Sequence, residues 1–280
     1  MVAQRRITDA KAHELASWLR TQRRSHAPLG PLPAEFLPLS AHDAVHVQSV
    51  FVRLKSQEHG DAVGWKIALA TQVMQAMVGL DAPIAGRLHA GQILSSPASV
   101  EHHNYQRLLV EFEIAVLLGS DLEARPGNPA RPHDHASVAP AVEAVAPAME
   151  IADDRRADYR QMGAHGPQLI ADNAWNEGGV MGVWRRDWAG LGSASEGLGS
   201  LRGEAWINDA PVGQGFGRDL MGHPFDALAW LANEAIRRGV HLRKGEIAIL
   251  GSLVTSRFPE PGDRLGFVLD GFAPIQLAVR

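Results

Sequence analysis

The stretch Leu109-Val110-Glu111-Phe112-Glu113-Ile114-Ala115-Val116-Leu117-Leu118-Gly119 constrains this chain more than any other. Its Val, Ile, Leu and Phe content reads as a β-strand, and Gly119 stops it. Side chains alternate faces along a strand, so Glu111 and Glu113 share one face while Phe112 and Ile114 point into a core on the other. Ala115 and Leu117 continue the glutamate face, which marks that face as buried too. Two carboxylates about 7 Å apart along a strand, in apolar company, cannot both stay charged without compensation. A divalent cation is the simplest compensation, so the strand predicts a hard-metal site.

A chain of 280 residues can bury the core such a site needs, as one large domain or as a core with an accessory segment. Lys and Arg number 27 against 31 Asp and Glu, a net charge of -4, which argues against a general nucleic-acid binder. With no cysteine there is no disulfide framework, no thiolate metal site and no Cys nucleophile. No apolar run approaches the roughly 20 residues that span a bilayer. Arg5 and Arg6 are followed by polar and charged residues rather than an apolar stretch, so no secretory signal and no membrane partner are expected. A cytoplasmic protein is the default.

Thr8-Asp9 reads as the cap of a helix through Ala12, Leu15, Ala16 and Leu19, with Arg20, Arg23 and Arg24 suiting its negative end. Its modest apolar face and interrupting acids argue against a membrane-surface role. A Pro-rich loop leads to Ser40, the cap of a second helix over Ala41 to Lys55. Residues 1–60 thus read as a helical N-terminal segment and 61–280 as a mixed-β core. Gly64 to Ala70 reads as a strand carrying Lys66. That lysine is either an edge-strand gatekeeper or a residue facing an active site, where it binds a carboxylate or moves a proton. Thr71 to Leu80 reads as a helix with core methionines. His133, His135, His102 and His103 sit in polar loops with few convergent partners, which disfavours a metal role.

Val138 to Met149 reads as partly helical, limited by Pro140 and Pro147. Acids then return in apolar company at Ala148-Met149-Glu150-Ile151-Ala152-Asp153-Asp154-Arg155. Glu150 or Asp153 would complete the cation's shell; three carboxylates plus water suit Mg²⁺ or Mn²⁺. Some of the residues 153–156 read instead as surface ion pairs. The pair Gly178-Gly179 permits close backbone approach but lacks the spacing of a dinucleotide fingerprint. Pro224 to Arg238 reads as a helix ended by Gly239. Strands follow at 246–250, 264–269 and 275–279.

An ordered set of motifs resembles the fumarylacetoacetate hydrolase superfamily, in its branch of 2-keto-4-pentenoate hydratases and 4-oxalocrotonate decarboxylases. The set comprises Asp43-Ala44 with Gln48, Gly64-x-Lys66-Ile67-x-Leu69, Glu111-x-Glu113-Ile114-Ala115 and Ala148-x-Glu150-Ile151-x-Asp153. It continues with Ile170-Ala171-Asp172-Asn173, Gly222-His223-Pro224, Leu250-Gly251-Ser252 and Pro261-Gly262-Asp263. The resemblance implies an α+β fold with a mixed, barrel-like or roll β core. It implies Mg²⁺ or Mn²⁺ on Glu111, Glu113 and Glu150, which favours Glu150 over Asp153, and Lys66 beside the substrate. Ser252, and the backbone near Ile67 and Leu69, would help hold the carboxylate of a 2-oxo acid. The implied reaction is hydration of an unsaturated 2-oxo acid such as 2-hydroxypenta-2,4-dienoate in aromatic catabolism. Decarboxylation of a 4-oxalocrotonate-like diacid is the alternative. A homo-oligomer is implied, or a hetero-complex with a homologous enzyme.

The cation would stabilise charge on the keto oxygen as a proton leaves C3. Lys66 would transfer that proton or bind the carboxylate; as a base it needs a lowered pKa. Two departures stand out. Hydratases carry an acidic pair shortly after the Gly-x-Leu that is Gly86-Arg87-Leu88 here, and this chain has His89-Ala90-Gly91. His89 is therefore the candidate for the proton-handling role, against its reading as a loop histidine. Trp175 stands near where the family places a small residue, which points to a different substrate. A chain without the acid also fits a non-catalytic partner subunit.

Overall fold

The computed structural model describes residues 7–127 and 131–280. Arg5 and Arg6, and part of the loop after Gly127, lie outside the described residues. Two helices come first. α1 (Asp9–Arg24) starts where the Thr8 hydroxyl accepts the Lys11 N–H, and α2 (Ala41–His59) where the Ser40 hydroxyl accepts the Asp43 N–H. These are the caps those residue types favour. Leu15 and Leu19 of α1 bury against Val47 and Phe51 of α2 in one apolar cluster. α2 runs past Lys55 and stops at Gly60, whose φ of 76° a helix cannot continue.

The remaining elements are β1 (Ala62–Ala68), α3 (Gln72–Met77), β2 (Ile84–His89), β3 (Ile93–Ser95), β4 (Ala98–Val100), β5 (Leu108–Leu118), α4 (His135–Val138), β6 (Val142–Asp153), α5 (Gly166–Ala171), β7 (Asn176–Met181), β8 (Arg202–Ile207), β9 (Ala210–Phe216), α6 (Pro224–Arg237), β10 (Ile247–Arg257), β11 (Arg264–Leu269) and β12 (Ile275–Val279). The fold is mixed α+β. Seven strands form one sheet in the order β2-β1-β10-β5-β6-β7-β3, and five form another in the order β4-β12-β11-β8-β9. Neither hydrogen-bonded ladder returns to its first strand, so the expected barrel is two open sheets. The larger one is strongly curled. Lys66 of β1 meets Glu150 of β6, three strands away in bonding order, with Nζ 2.8 Å from Oε1. β10, between them, breaks register after Ile249, Ser252 and Val254, and such bulges bend a strand and raise its twist.

The core lies between the sheets. Phe112 of β5 and Phe267 of β11 meet with ring centroids 5.6 Å apart. Leu228, Leu231 and Ala235 of α6 join the same cluster. That helix opens with Pro224, after His223 Nδ1 accepts the Phe225 N–H at 3.0 Å. No helix among the described residues is long and apolar enough to cross a membrane.

Three expectations are corrected here. The segment from Val142 is the strand β6, not helix, and pairs with β5 along its length. Pro147 is tolerated because the β6–β7 ladder begins one residue later, at Ala148 opposite Met181. α3 ends at Met77 rather than Leu80. β1 lies between β2 and β10, so Lys66 is no edge gatekeeper. Gly178 fits its expected role: a Cβ there would lie 2.2 Å from the Gln92 carbonyl oxygen.

Candidate active site and metal centre

β5 and β6 run antiparallel with Glu111 directly opposite Glu150, and Glu113 follows two residues along the same face. One oxygen from each of the three lies within 4.8 Å of the others. Glu113 and Glu150 are fully buried and Glu111 is partly so. Each carboxylate has one fixed partner set. The Gly251 N–H donates to Glu113 Oε2 at 2.6 Å, and the Ser256 hydroxyl to Glu111 Oε1 at 2.5 Å. Glu150 Oε1 accepts from Lys66 Nζ at 2.8 Å and from Asn176 Nδ2 at 3.0 Å. Glu113 Oε1 and Glu150 Oε2 are buried with no partner.

Three carboxylates thus face one ammonium. Burial, then the Glu150 and Glu111 charges, push the Glu113 carboxyl well above the usual range. Burial raises Glu150 too, against the pull of Lys66. At Lys66 burial acts downward, but Glu150, Glu111 and Glu113 outweigh it and hold the amine above its ordinary value. Lys66 is therefore an ammonium, and the lowered pKa that a general base would need is not what these neighbours produce. An all-oxygen donor set, excess negative charge and two orphaned buried oxygens fit a hard divalent cation.

Asp153, the other acid read as a third ligand, is turned to the backbone. It accepts the N–H groups of Gln106 and Arg107, each at 3.0 Å, and of Arg155 at 2.9 Å. Its neighbours are not surface pairs: Asp154 binds Arg107, and Arg155 binds Asp172 at 3.0 Å, with Asp154, Arg155 and Asp172 all buried. His89 is not brought to the carboxylates. It ends β2 opposite Ala62, and its ring N–H donates to the Val52 carbonyl of α2 at 3.2 Å. Burial and the Lys55 charge push it down to about 4. Ser252 turns back on the backbone as well. Its hydroxyl accepts the Phe112 N–H at 3.1 Å and donates to the Val254 carbonyl at 2.6 Å, stitching a bulge. The serine on the glutamates is Ser256, which lay outside the strand expected at 246–250, because β10 runs on through its bulges to Arg257. Ile67 packs its side chain in the core while its backbone pairs with Ala85.

A cavity of about 80 Å³ opens beside Glu111 and Lys66. Leu69, left-handed at φ 58°, lines it with Met74, Met77, Leu109, Met162 and Trp175. Asn173, Ala174 and Trp175 are left-handed in succession, with φ of 54°, 51° and 62°. Each such non-glycine residue is strained by roughly 1 kcal/mol or more and persists only where its surroundings hold it. Here Asn173 does the holding. Its amide donates to the Arg87 carbonyl and accepts the Arg87 N–H, at 2.9 and 2.7 Å. The turn thereby delivers Trp175 to the cavity and Asn176 to Glu150. A larger cleft of about 430 Å³ lies near α1 and α2. It holds none of the three glutamates, and its buried charges are mutually satisfied: Glu177 binds Arg23 at 2.6 Å and Lys55 at 2.8 Å. Lys66 and Glu111 line the smaller cavity instead.

Residues 71–280 match the family described as fumarylacetoacetate (FAA) hydrolase C-terminal. Over 271 residues the chain is 30% identical to a 2-keto-4-pentenoate hydratase of Paraburkholderia xenovorans (strain LB400), covering 96% of this chain and 95% of that one. It is 30% identical over 227 residues to a 4-oxalocrotonate decarboxylase of a Pseudomonas species, covering 80% and 81%. In fold it resembles the 4-oxalocrotonate decarboxylase of Pseudomonas putida G7, solved with magnesium and adipate. That TM-score is 0.85, at 23% identity, over 99% of this chain and all of the other.

Proposed function

This chain belongs to the fumarylacetoacetate hydrolase family, and we propose that it is a divalent-metal-dependent lyase adding water to an unsaturated 2-oxo acid, such as 2-hydroxypenta-2,4-dienoate, in aromatic catabolism. The buried Glu111–Glu113–Glu150 set with Lys66 at its edge carries the reading. Glu111, Glu113 and Glu150 would hold Mg²⁺ or Mn²⁺, which supplies Lewis-acid polarisation of a 2-oxo group when bound. The remaining work falls to the chain's own side chains. Lys66, the cationic side chain among the cavity's described lining residues, neutralises the substrate carboxylate. Asn176 and Ser256 orient Glu150 and Glu111, as supporting hydrogen bonds do for ligating carboxylates. The methionine and leucine walls keep bulk water from the polarised substrate.

Decarboxylation of a 4-oxalocrotonate-like diacid is the second reading, favoured by the decarboxylase relative. The same electron sink would serve it. The chain is proposed to act as a homo-oligomer or beside a homologous enzyme. The test is turnover of 2-hydroxypenta-2,4-dienoate by the purified chain with Mg²⁺, after chelation, and in Glu111→Ala, with CO₂ release from 4-oxalocrotonate measured in parallel. Metal-dependent hydration lost in Glu111→Ala is expected. Hydration that survives both chelation and Glu111→Ala overturns the metal reading, and CO₂ release without hydration selects the decarboxylase. Gel filtration with and without a homologous hydratase tests the assembly.

A further inference from the structure

Asn176 sits where the backbone is irregular on both sides. Before it Asn173, Ala174 and Trp175 are left-handed in succession, and after it Gly178 has a φ of 122°. The β6–β7 ladder breaks register between Ile151 and Ala152, the residue opposite Asn176. Ladder geometry therefore does not by itself set where this residue points. Its placement matters, since Nδ2 donates to Glu150 Oε1 at 3.0 Å while Glu150 Oε2 stays buried without a partner. The fixing group comes from α2. Lys55, 4% exposed, donates from Nζ to the Asn176 carbonyl at 2.7 Å and to Glu177 Oε2 at 2.8 Å. Glu177 is held in turn by Arg23 of α1 at 2.6 Å and by Gln92 at 3.0 Å. Replacing a buried ion pair by apolar residues of similar volume is often neutral for stability or favourable. What Lys55 adds is direction. It ties one backbone carbonyl to a helix that lies outside residues 71–280, the part matching the family.

We propose that Lys55 is a positioning residue of the carboxylate site. It fixes the Asn176 carbonyl, the Asn176 amide fixes Glu150 Oε1, and Glu150 Oε2 is thereby presented to the cation. The proposal rests on the reading of Glu111, Glu113 and Glu150 as metal ligands. It makes the N-terminal helices part of the site's machinery, although neither α1 nor α2 supplies a described lining residue of the cavity.

The test is Mn²⁺ titration of the full chain, read from the electron paramagnetic resonance signal of the free ion. Wild type is compared with Lys55→Met, Asn176→Ala, the two combined, and Val47→Ala. Lys55→Met leaves Glu177 paired with Arg23 and Gln92. It is expected to raise the Mn²⁺ Kd about 10-fold, the scale usual for groups that orient ligands. Asn176→Ala is expected to raise it by as much or more. The double variant should go no further than Asn176→Ala, because Lys55 then has no amide to place. Val47 is buried on the same helix, about 12 Å along it from Lys55. Val47→Ala is expected to lower the Tm and to leave the Kd within about twofold of wild type. An unchanged Kd in Lys55→Met overturns the proposal. An equal loss in Val47→Ala overturns it too, since Lys55 then only anchors α2, and so do losses that multiply in the double variant. Lys55→Gln, one bond too short to reach both acceptors, takes the place of Lys55→Met if that variant fails to fold. A wild type that binds no Mn²⁺ overturns the metal reading and the proposal together; with wild-type binding intact, the outcomes above overturn the proposal alone.

Discussion

Replacing Glu113 by Gln separates what the three-glutamate cluster does for stability from what it does for metal. Glu113 is fully buried and near-isosteric with Gln, and a Gln Oε1 still accepts the Gly251 N–H. In the metal-free chain burial and the Glu150 and Glu111 charges already disfavour the ionised form of Glu113. A neutral Gln there meets the same burial and the same neighbours without needing a charge, and loses only the weaker attraction to Lys66. Metal-free Glu113→Gln is therefore expected to melt no lower than the metal-free wild type. The metal response is the opposite. A ligand at 100 times its Kd adds about 2.7 kcal/mol. Unfolding entropy scales to about 0.6 kcal/mol per kelvin for 280 residues, so saturating Mg²⁺ or Mn²⁺ raises the wild-type Tm by about 4–5 °C. In Glu113→Gln that rise is expected to vanish. The assay is thermal melting by circular dichroism, after chelation and with each ion added back. A variant that keeps the full metal-induced rise, or a wild type that shows none, refutes the reasoning.

Lys66→Ala leaves Glu150 buried without its cation. Such breaks destabilise by about 3–5 kcal/mol, and hydration should fall at least about 100-fold, measured on protein shown to be folded. His89→Gln keeps a donor for the Val52 carbonyl and should leave kcat/KM within about twofold, since His89 lies away from the glutamates. It should also flatten the acid limb of stability. His89 titrates at about 4 when folded but near 6.5 unfolded. Its contribution is thus complete above about pH 6.5 and is lost as pH falls towards about 4, a span of roughly 3 kcal/mol, read from denaturant midpoints. Ser252→Ala should lose about 1 kcal/mol of stability with metal affinity intact. Ser256→Ala should weaken metal binding by about 10-fold with little loss of stability, and titration of both variants with Mn²⁺ checks the contrast.

The carboxylate cluster was legible because β5 is regular. Alternation alone put Glu111 and Glu113 on one buried face, and the β6 register sets Glu150 opposite Glu111. The alternatives at Lys66 needed the sheet order, since only a strand's neighbours tell an edge from an interior. Ser256 was hidden because Gly251-Ser252 reads as a turn ending the strand at 250, whereas β10 continues through register breaks to Arg257. Asp153 and Glu150 read alike in sequence and differ in what their faces meet, one the backbone of residues 106–107, the other the cavity side. His89 looked like a loop residue replacing a family acid, and became the end of β2 because it pairs with Ala62. Trp175 stood out as a departure, but its left-handed turn could not be read from a run with no glycine.

The strand between β1 and β5 is β10, made from residues 247–257. During synthesis, the antiparallel pair of β1 and β2 therefore waits, without its inner neighbour, until residues 247–257 have left the ribosome. Pairings of such high sequence separation form slowly and leave unpaired edges exposed meanwhile. An N-terminal fragment ending before residue 247 lacks both the strand that parts β1 from β5 and the Gly251 and Ser256 donors that hold Glu113 and Glu111.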